Sequence, residues 1–172
     1  MSDDKIKDEK KGAEESQYEK FAQKTAEFWN TLKEKTPEAL DRVMEKAKKE
    51  LVEAGELGAK KAEEFSEYLK KDLAVSKEEF GKLSEIIKDK SHPSRLSAGM
   101  LNIIHDIAQV LGEQLQGVAS KTEEKLLYKT GGICGPCTLT CTKCGKQVHL
   151  TKTSRIPPCS GCKGASTFKK SY

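Results

Sequence analysis

The feature that most constrains the fold of this chain is a pair of Cys-x-x-Cys motifs near its carboxyl end. Cys141 and Cys144 form the first motif, Cys159 and Cys162 form the second, and residues 145–158 separate them. A Cys-x-x-Cys turn directs two sulfurs toward one point, and Zn²⁺ prefers four soft ligands in a tetrahedron at about 2.3 Å. Two such turns brought together by a hairpin close that shell. We therefore predict one structural Zn²⁺ per chain, bound by all four cysteines.

The residues around these cysteines predict a small β ribbon. Three segments, 138–141, 146–152 and 165–169, alternate polar and apolar residues as short strands do. Gly145 directly follows Cys144 and allows the chain to turn so that backbone N–H groups face the sulfurs. A segment of about 40 residues buries too little apolar surface to fold unaided. A structural zinc ion, worth on the order of 10–16 kcal/mol of binding, makes up that deficit.

The earlier part of the chain has helical periodicity, with apolar residues recurring at intervals of three and four. Thr36 before Pro37 is typical of a helix start, and Gly55 is typical of a helix end. Residues 100–111 carry a broad apolar face and are expected to form the core of the helical part. The predicted helices cover about 16–35, 37–54, 56–74, 76–90 and 95–128.

These patterns divide the chain into three parts. Residues 1–15 are highly charged and are predicted to be a disordered lead or a frayed helix start. Residues 16–128 are predicted to be a helical, coiled-coil-like region, and residues 129–172 the ribbon. The expected fold is mostly α: an N-terminal antiparallel helical hairpin or bundle, followed by a small three-stranded β zinc ribbon.

Charge is distributed unevenly between these parts. Residues 129–172 contain eight of the 31 basic residues and no Asp or Glu, which leaves 23 basic and 27 acidic residues in 1–128. A basic ribbon favours anionic partners. One alternative is therefore a nucleic acid, with lysines on phosphates and the Phe168 and Tyr172 rings stacked on bases. The basic residues concerned are Lys143, Lys146, Lys152, Arg155, Lys163, Lys169 and Lys170.

The expected location is the cytoplasm. The first residues have no apolar core of the kind that a signal peptide requires. No run approaches the roughly 18 to 20 apolar residues that a membrane-spanning helix needs. In the cytoplasm thiols stay reduced, which favours metal binding over disulfide formation.

A third cysteine pair, Cys134-Gly-Pro-Cys137, is similar to the active-site motif of thioredoxins. Redox chemistry requires that motif between a strand and a helix. Here a glycine-rich segment precedes the motif and a ribbon strand follows it. We expect a pair of reduced, partly exposed thiols. Two alternatives stay open: the pair replaces or supplements a ribbon ligand, or it supports a thiol-redox or metal-responsive function.

The sequence predicts no catalytic residues. It contains no combination typical of a catalytic triad, a phosphate-binding loop or a dinucleotide-binding fingerprint. Four thiolates also close the zinc shell, whereas a catalytic zinc keeps one position for water. His149, on the central predicted strand, could replace a zinc ligand, but the four cysteines already complete the shell. His105 is expected on a solvated helix face. We therefore expect a non-enzymatic protein.

Several short segments carry a family resemblance. They are Gly55-Glu56-Leu57, Lys71-Asp72-Leu73, Gly131-Gly132-Ile133, the run from Leu139 to Gly145, the run from Ile156 to Cys162, and Phe168. In these segments the chain resembles a bacterial family of zinc-ribbon-containing proteins of unknown function, which have a helical N-terminal half and a four-cysteine ribbon. The resemblance implies metal ligands at Cys141, Cys144, Cys159 and Cys162, and it implies no activity. Cysteine at 134 or 137 is not part of the family pattern.

The function that we favour from the sequence is that of an interaction or regulatory protein. Its helices would associate with a protein partner or with a second copy of the chain, and its ribbon would be a rigid recognition element. Nucleic-acid binding through the basic ribbon and redox chemistry at Cys134 and Cys137 are the alternatives.

Overall fold

The structure is a computed structural model that describes residues 2–74, 77–89, 98–119 and 127–171. Within these residues, five helices precede six strands. The predicted fold, mostly helical with a C-terminal β part, is confirmed. None of the described helices is both long enough and apolar enough to cross a membrane. The helices are α1 (Ser2–Asn30), α2 (Pro37–Glu53), α3 (Ala59–Leu73), α4 (Lys77–Lys88) and α5 (Ala98–Ala119). The strands are β1 (Tyr128–Lys129), β2 (Ile133–Cys134), β3 (Cys137–Cys141), β4 (Gln147–Leu150), β5 (Ser154–Arg155) and β6 (Thr167–Ser171).

The first helix begins earlier than the sequence predicted. It starts at Ser2, within residues 1–15, for which the sequence left open a disordered lead or a frayed helix start. Two acidic residues of that lead have partners in the fold. Glu14 forms ion pairs with Lys61 of α3 and Arg155 of β5, and Glu15 accepts a hydrogen bond from the Arg155 backbone N–H at 3.1 Å. No local pattern could predict this contact, because Arg155 lies 140 residues from Glu15 in the sequence.

The second helix agrees closely with its sequence signals. The Thr36 hydroxyl accepts a hydrogen bond from the Ala39 backbone N–H at 3.2 Å, and Pro37 occupies the first turn. Gly55 follows the helix with a φ of +70°, a conformation that glycine adopts without a steric penalty. The predicted apolar stripe is buried at all five positions, namely Leu40, Val43, Met44, Ala47 and Leu51.

The core of the helical part lies between α1, α2, α3, α4 and α5. The broad apolar face predicted over residues 100–111 is buried except at Ile103, which is half-buried, and Val110, which is exposed. The last predicted helix was too long, because Tyr128 belongs to strand β1. Residues 120–126, also assigned to that helix, lie outside the described residues. The side chains that fill the centre of the core include Trp29, Tyr18, Phe21, Phe65, Leu69, Leu83 and Ile104.

The ribbon is an antiparallel sheet with strand order β1-β6-β3-β4, beside a two-stranded sheet of β2 and β5. The three predicted strands correspond to β3, β4 and β6, so three further strands were not predicted. Each of those three is only two residues long, too short for a periodic pattern to be visible. Leu139 and Phe168 are fully buried between the sheet and the rest of the ribbon.

The ribbon packs directly on the helices. Ile133 of β2 belongs to the same buried cluster as the helical core. Gly135, in the turn after β2, lies so close to the helices that a Cβ there would be 3.2 Å from Ile104 Cδ1 and 3.3 Å from Asp72 Oδ2. Strand β2 therefore forms the boundary between the helical part and the ribbon.

Candidate metal centre

The structure brings the four predicted metal ligands together. The sulfurs of Cys141, Cys144, Cys159 and Cys162 all lie within 4.8 Å of one another. The Cys141 and Cys162 sulfurs are 3.8 Å apart, and the Cys144 and Cys159 sulfurs are 3.4 Å apart. In a tetrahedral site with Zn–S distances of about 2.3 Å, neighbouring sulfurs are about 3.8 Å apart. The donor set and its spacing therefore fit a zinc ion bound by these four residues.

Both Cys-x-x-Cys motifs fold into the same turn. The Gly145 N–H donates to the Cys141 carbonyl at 3.0 Å, and the Lys163 N–H donates to the Cys159 carbonyl at 3.0 Å. The residue that closes each turn has a positive φ, +71° at Gly145 and +49° at Lys163. The sequence identified the first turn by its glycine but gave no sign of the second, because lysine rarely adopts this conformation.

Backbone N–H groups in these turns stabilise thiolates. Those of Cys144 and Lys143 lower the pKa of Cys141 to about 6, and those of Cys162 and Gly161 lower the pKa of Cys159. By contrast, the pKa of Cys162 is raised to about 12, because the Cys162 thiol forms a hydrogen bond with the Cys144 thiol. The lowered pKa of the first cysteine of each motif favours the thiolate form that binds a cation, and a bound metal would ionise the remaining thiols.

Gly161 is a further residue that the site requires and that the sequence did not single out. A Cβ at this position would lie 3.0 Å from Cys144 Sγ and 2.9 Å from the Lys146 side chain. The second turn therefore packs against a ligand of the first turn, and this contact depends on a residue without a side chain.

The Cys134 and Cys137 thiols lie outside the metal cluster and are buried, which corrects the prediction of partly exposed thiols. Their sulfurs are 3.5 Å apart. The hydrogen bond with Cys137, together with burial, raises the pKa of Cys134 well above its usual value. A buried, protonated thiol is a poor nucleophile, so this environment is unlike that of a thioredoxin active site.

A buried carboxylate lies at the boundary between ribbon and helices. Asp72, near the end of α3, is fully buried. It accepts hydrogen bonds from the hydroxyls of Tyr18 at 2.8 Å and Tyr128 at 2.9 Å. It also accepts one from the Gly135 backbone N–H at 2.8 Å and forms an ion pair with Lys170 at 2.9 Å. Three of these four donors belong to the ribbon, so Asp72 links the two parts of the molecule. Reasoning from the sequence noted this residue only within a family segment.

Two of the seven basic residues considered for nucleic-acid binding are engaged inside the fold. Arg155 pairs with Glu14 and donates to the Gly131 carbonyl at 2.5 Å, and Lys170 pairs with Asp72. The other five, Lys143, Lys146, Lys152, Lys163 and Lys169, are exposed.

The aromatic and histidine predictions have different outcomes. Phe168 is fully buried in the ribbon core, which corrects its predicted role as a stacking surface, and Tyr172 lies outside the described residues. His149 is not in the metal cluster, and its Nδ1 lies 3.0 Å from the Thr138 hydroxyl. His105 is half-buried rather than fully solvated, and it stacks on Phe80 with ring centroids 4.9 Å apart.

Comparison with known proteins agrees with this architecture. A family model described as a zinc-ribbon containing domain matches residues 27–171. No curated protein and no solved structure matches the chain. The family match covers only the last turn of α1, all the other helices and the six strands of the ribbon, including the four clustered cysteines. The chain therefore belongs to the family of proteins with this zinc-ribbon containing domain.

Proposed function

We propose that this protein is a non-enzymatic interaction protein whose ribbon is held in shape by one structural Zn²⁺. The observation that carries the proposal is the cluster of four cysteine sulfurs, mutually within 4.8 Å, on two matching turns. Four thiolates fill the tetrahedral shell, so the metal has no position left for a water or a substrate. A rigid ribbon without an open metal site favours recognition over catalysis. None of the six cysteines forms a disulfide, which is consistent with a reducing compartment, and we propose the cytoplasm.

Metal analysis tests this proposal. Purified protein should contain one Zn²⁺ per chain, and Cys159→Ser should remove most of it because three thiolates and one hydroxyl bind zinc far less tightly. Cys134→Ser is the matched control, since Cys134 lies outside the cluster, and it should retain full zinc. Wild-type protein without zinc, or equal zinc in Cys159→Ser, would contradict the proposal.

We further propose that the helices bind a protein partner or a second copy of the chain. Support comes from α5, where Val110 is 42% exposed and Ile103, seven residues earlier on the same stripe, is only half-buried. A pull-down from lysate with the wild type and with Val110→Lys, each treated with nuclease, tests this. Capture of a partner that the substitution abolishes, or a dimeric mass that becomes monomeric, supports the proposal. A wild-type protein that captures no partner and has a monomeric mass would contradict the proposal.

A further inference from the structure

The ribbon sheet has one face that packs inward and one that faces solvent. Leu139, Cys141 and Phe168 point to the buried side. Side chains alternate along a strand, so their neighbours point outward. We call this second surface the outer face; it consists of Lys129, Thr138, Thr140, Thr142, Gln147, His149, Thr167, Lys169 and Ser171.

Strand register arranges the outer face in cross-strand rows. In one row Thr138 lies opposite Ser171 and His149. In the next row Thr140 lies opposite Lys169 and Gln147. The last row contains three residues: Lys129 lies opposite Thr167, and the Thr167 hydroxyl is 2.7 Å from that of Thr142.

The chemistry of this surface is uniform. All nine side chains are able to form hydrogen bonds, two of them are lysines, and none is acidic or apolar. The sequence has no Asp or Glu from residue 127 to its end, so no carboxylate of the ribbon itself opposes the lysines. The exposed Lys143, Lys146 and Lys163, in the two cysteine turns, add positive charge near one end of the sheet.

We propose that the outer face binds the sugar–phosphate backbone of nucleic acid without reading its sequence. Phosphate oxygens are bound in proteins by Lys together with Ser, Thr and Gln side chains, the residue types that form this surface. The inference goes beyond the proposed function and shares with it only the need for a zinc-held ribbon.

The same composition argues against a protein partner at this face. Protein interfaces are dominated by a few buried aromatic or Arg anchors, and the outer face has none. Nucleic-acid interfaces are polar and positively charged. The Tyr128 and Phe168 rings of the ribbon are buried and not available for stacking on bases. The expected contacts are therefore with the backbone, which both duplexes and single strands provide.

Fluorescence anisotropy tests this inference on the zinc-loaded full chain. The probes are a short labelled RNA duplex, the corresponding DNA duplex and their single strands, each titrated over a range of salt concentrations. Binding should weaken as salt rises, because lysine contacts release counterions from the phosphates. The double variant Lys129→Gln/Lys169→Gln should bind more weakly, and the slope of log affinity against log salt should be smaller by about 2.

The matched control is Lys33→Gln/Lys60→Gln, which removes two exposed lysines from the helical part and changes the net charge equally. It should bind as the wild type does. Three results would overturn the inference: no binding of any nucleic acid at low salt, equal losses in both double variants, or tighter binding of polyglutamate than of nucleic acid. Zinc analysis of the same samples separates the two proposals, since full zinc without nucleic-acid binding overturns this inference alone.

Discussion

At the scale of single residues, we expect Asp72 to be the position at which the replacement of one atom destabilises the fold most. Its carboxylate accepts from two hydroxyls and one backbone N–H and pairs with Lys170, whose side chain is only 9% exposed. Asp72→Asn keeps the size of the side chain but leaves the buried Lys170 ammonium without its counter-charge. Breaking a buried ion pair on one side typically costs about 3–5 kcal/mol. We expect a loss of that order in the free energy of unfolding, measured by urea denaturation.

A double variant distinguishes the loss of the charge pair from general damage. In Asp72→Asn/Lys170→Met the buried ammonium is gone as well, so the double variant should be more stable than Asp72→Asn alone. If Asp72→Asn unfolds within about 0.5 kcal/mol of the wild type, the size of an ordinary surface effect, the carboxylate does not hold the boundary together.

At the scale of secondary-structure elements, local signals predicted the helices better than the strands. Helix α2 was predicted correctly because Thr36, Pro37 and Gly55 act within a few residues of its ends. Strand β1 was not, since Tyr128 pairs with Phe168, which is distant in the sequence. The clustering of the four cysteines was predictable because each motif positions its own two sulfurs.

The environment of Cys134 and Cys137 could not be read from their motif. Both thiols are buried because the turn between them packs on α3 and α5, with Gly135 beside Asp72 and Ile104. Contacts between segments this far apart in the sequence leave no local signal. The same reason explains why Asp72 was not recognised as a hydrogen-bonding centre, since its donors come from four separate segments.

The packing of this turn on the helices gives a test at the same scale. Gly135→Ala places a Cβ 3.2 Å from Ile104 Cδ1 and 3.3 Å from Asp72 Oδ2. Either the turn or these two side chains must then shift by a few tenths of an ångström, and overpacking of this kind costs about 1–3 kcal/mol. Thermal unfolding should show a lower midpoint for Gly135→Ala than for the wild type.

Gly81→Ala is the control for this test. Gly81 lies at an exposed position within α4, and a Cβ there would meet no atom within 4 Å. Alanine is favoured over glycine inside a helix, so this replacement should leave the thermal midpoint unchanged or raise it. Equal midpoints for both alanine variants would mean that the turn does not pack tightly on the helices.

At the scale of the whole molecule, the metal site and the helices are parts of one folded unit. The family match runs through both, Ile133 of the ribbon belongs to the helical core, and Glu14 of α1 pairs with Arg155 of β5. We expect a ribbon of this size to depend on a bound metal for stability. Binding of zinc to the folded ribbon should therefore stabilise the helices as well, because each part is packed against the other.

Removal of zinc with a chelator is expected to lower the temperature at which the helices unfold. Far-UV circular dichroism measures this thermal midpoint. Without zinc the ribbon is expected to unfold, and Asp72 would then lose the donors from Tyr128, Gly135 and Lys170. In a protein of this size each 1 kcal/mol shifts the midpoint by about 2–4 °C, so a loss of about 3 kcal/mol corresponds to roughly 6–12 °C. In Asp72→Asn this link is already weakened, and the chelator should shift the helical midpoint by less. A helical midpoint that chelation leaves unchanged in the wild type would mean that the helices fold independently of the ribbon, despite the buried carboxylate that joins them.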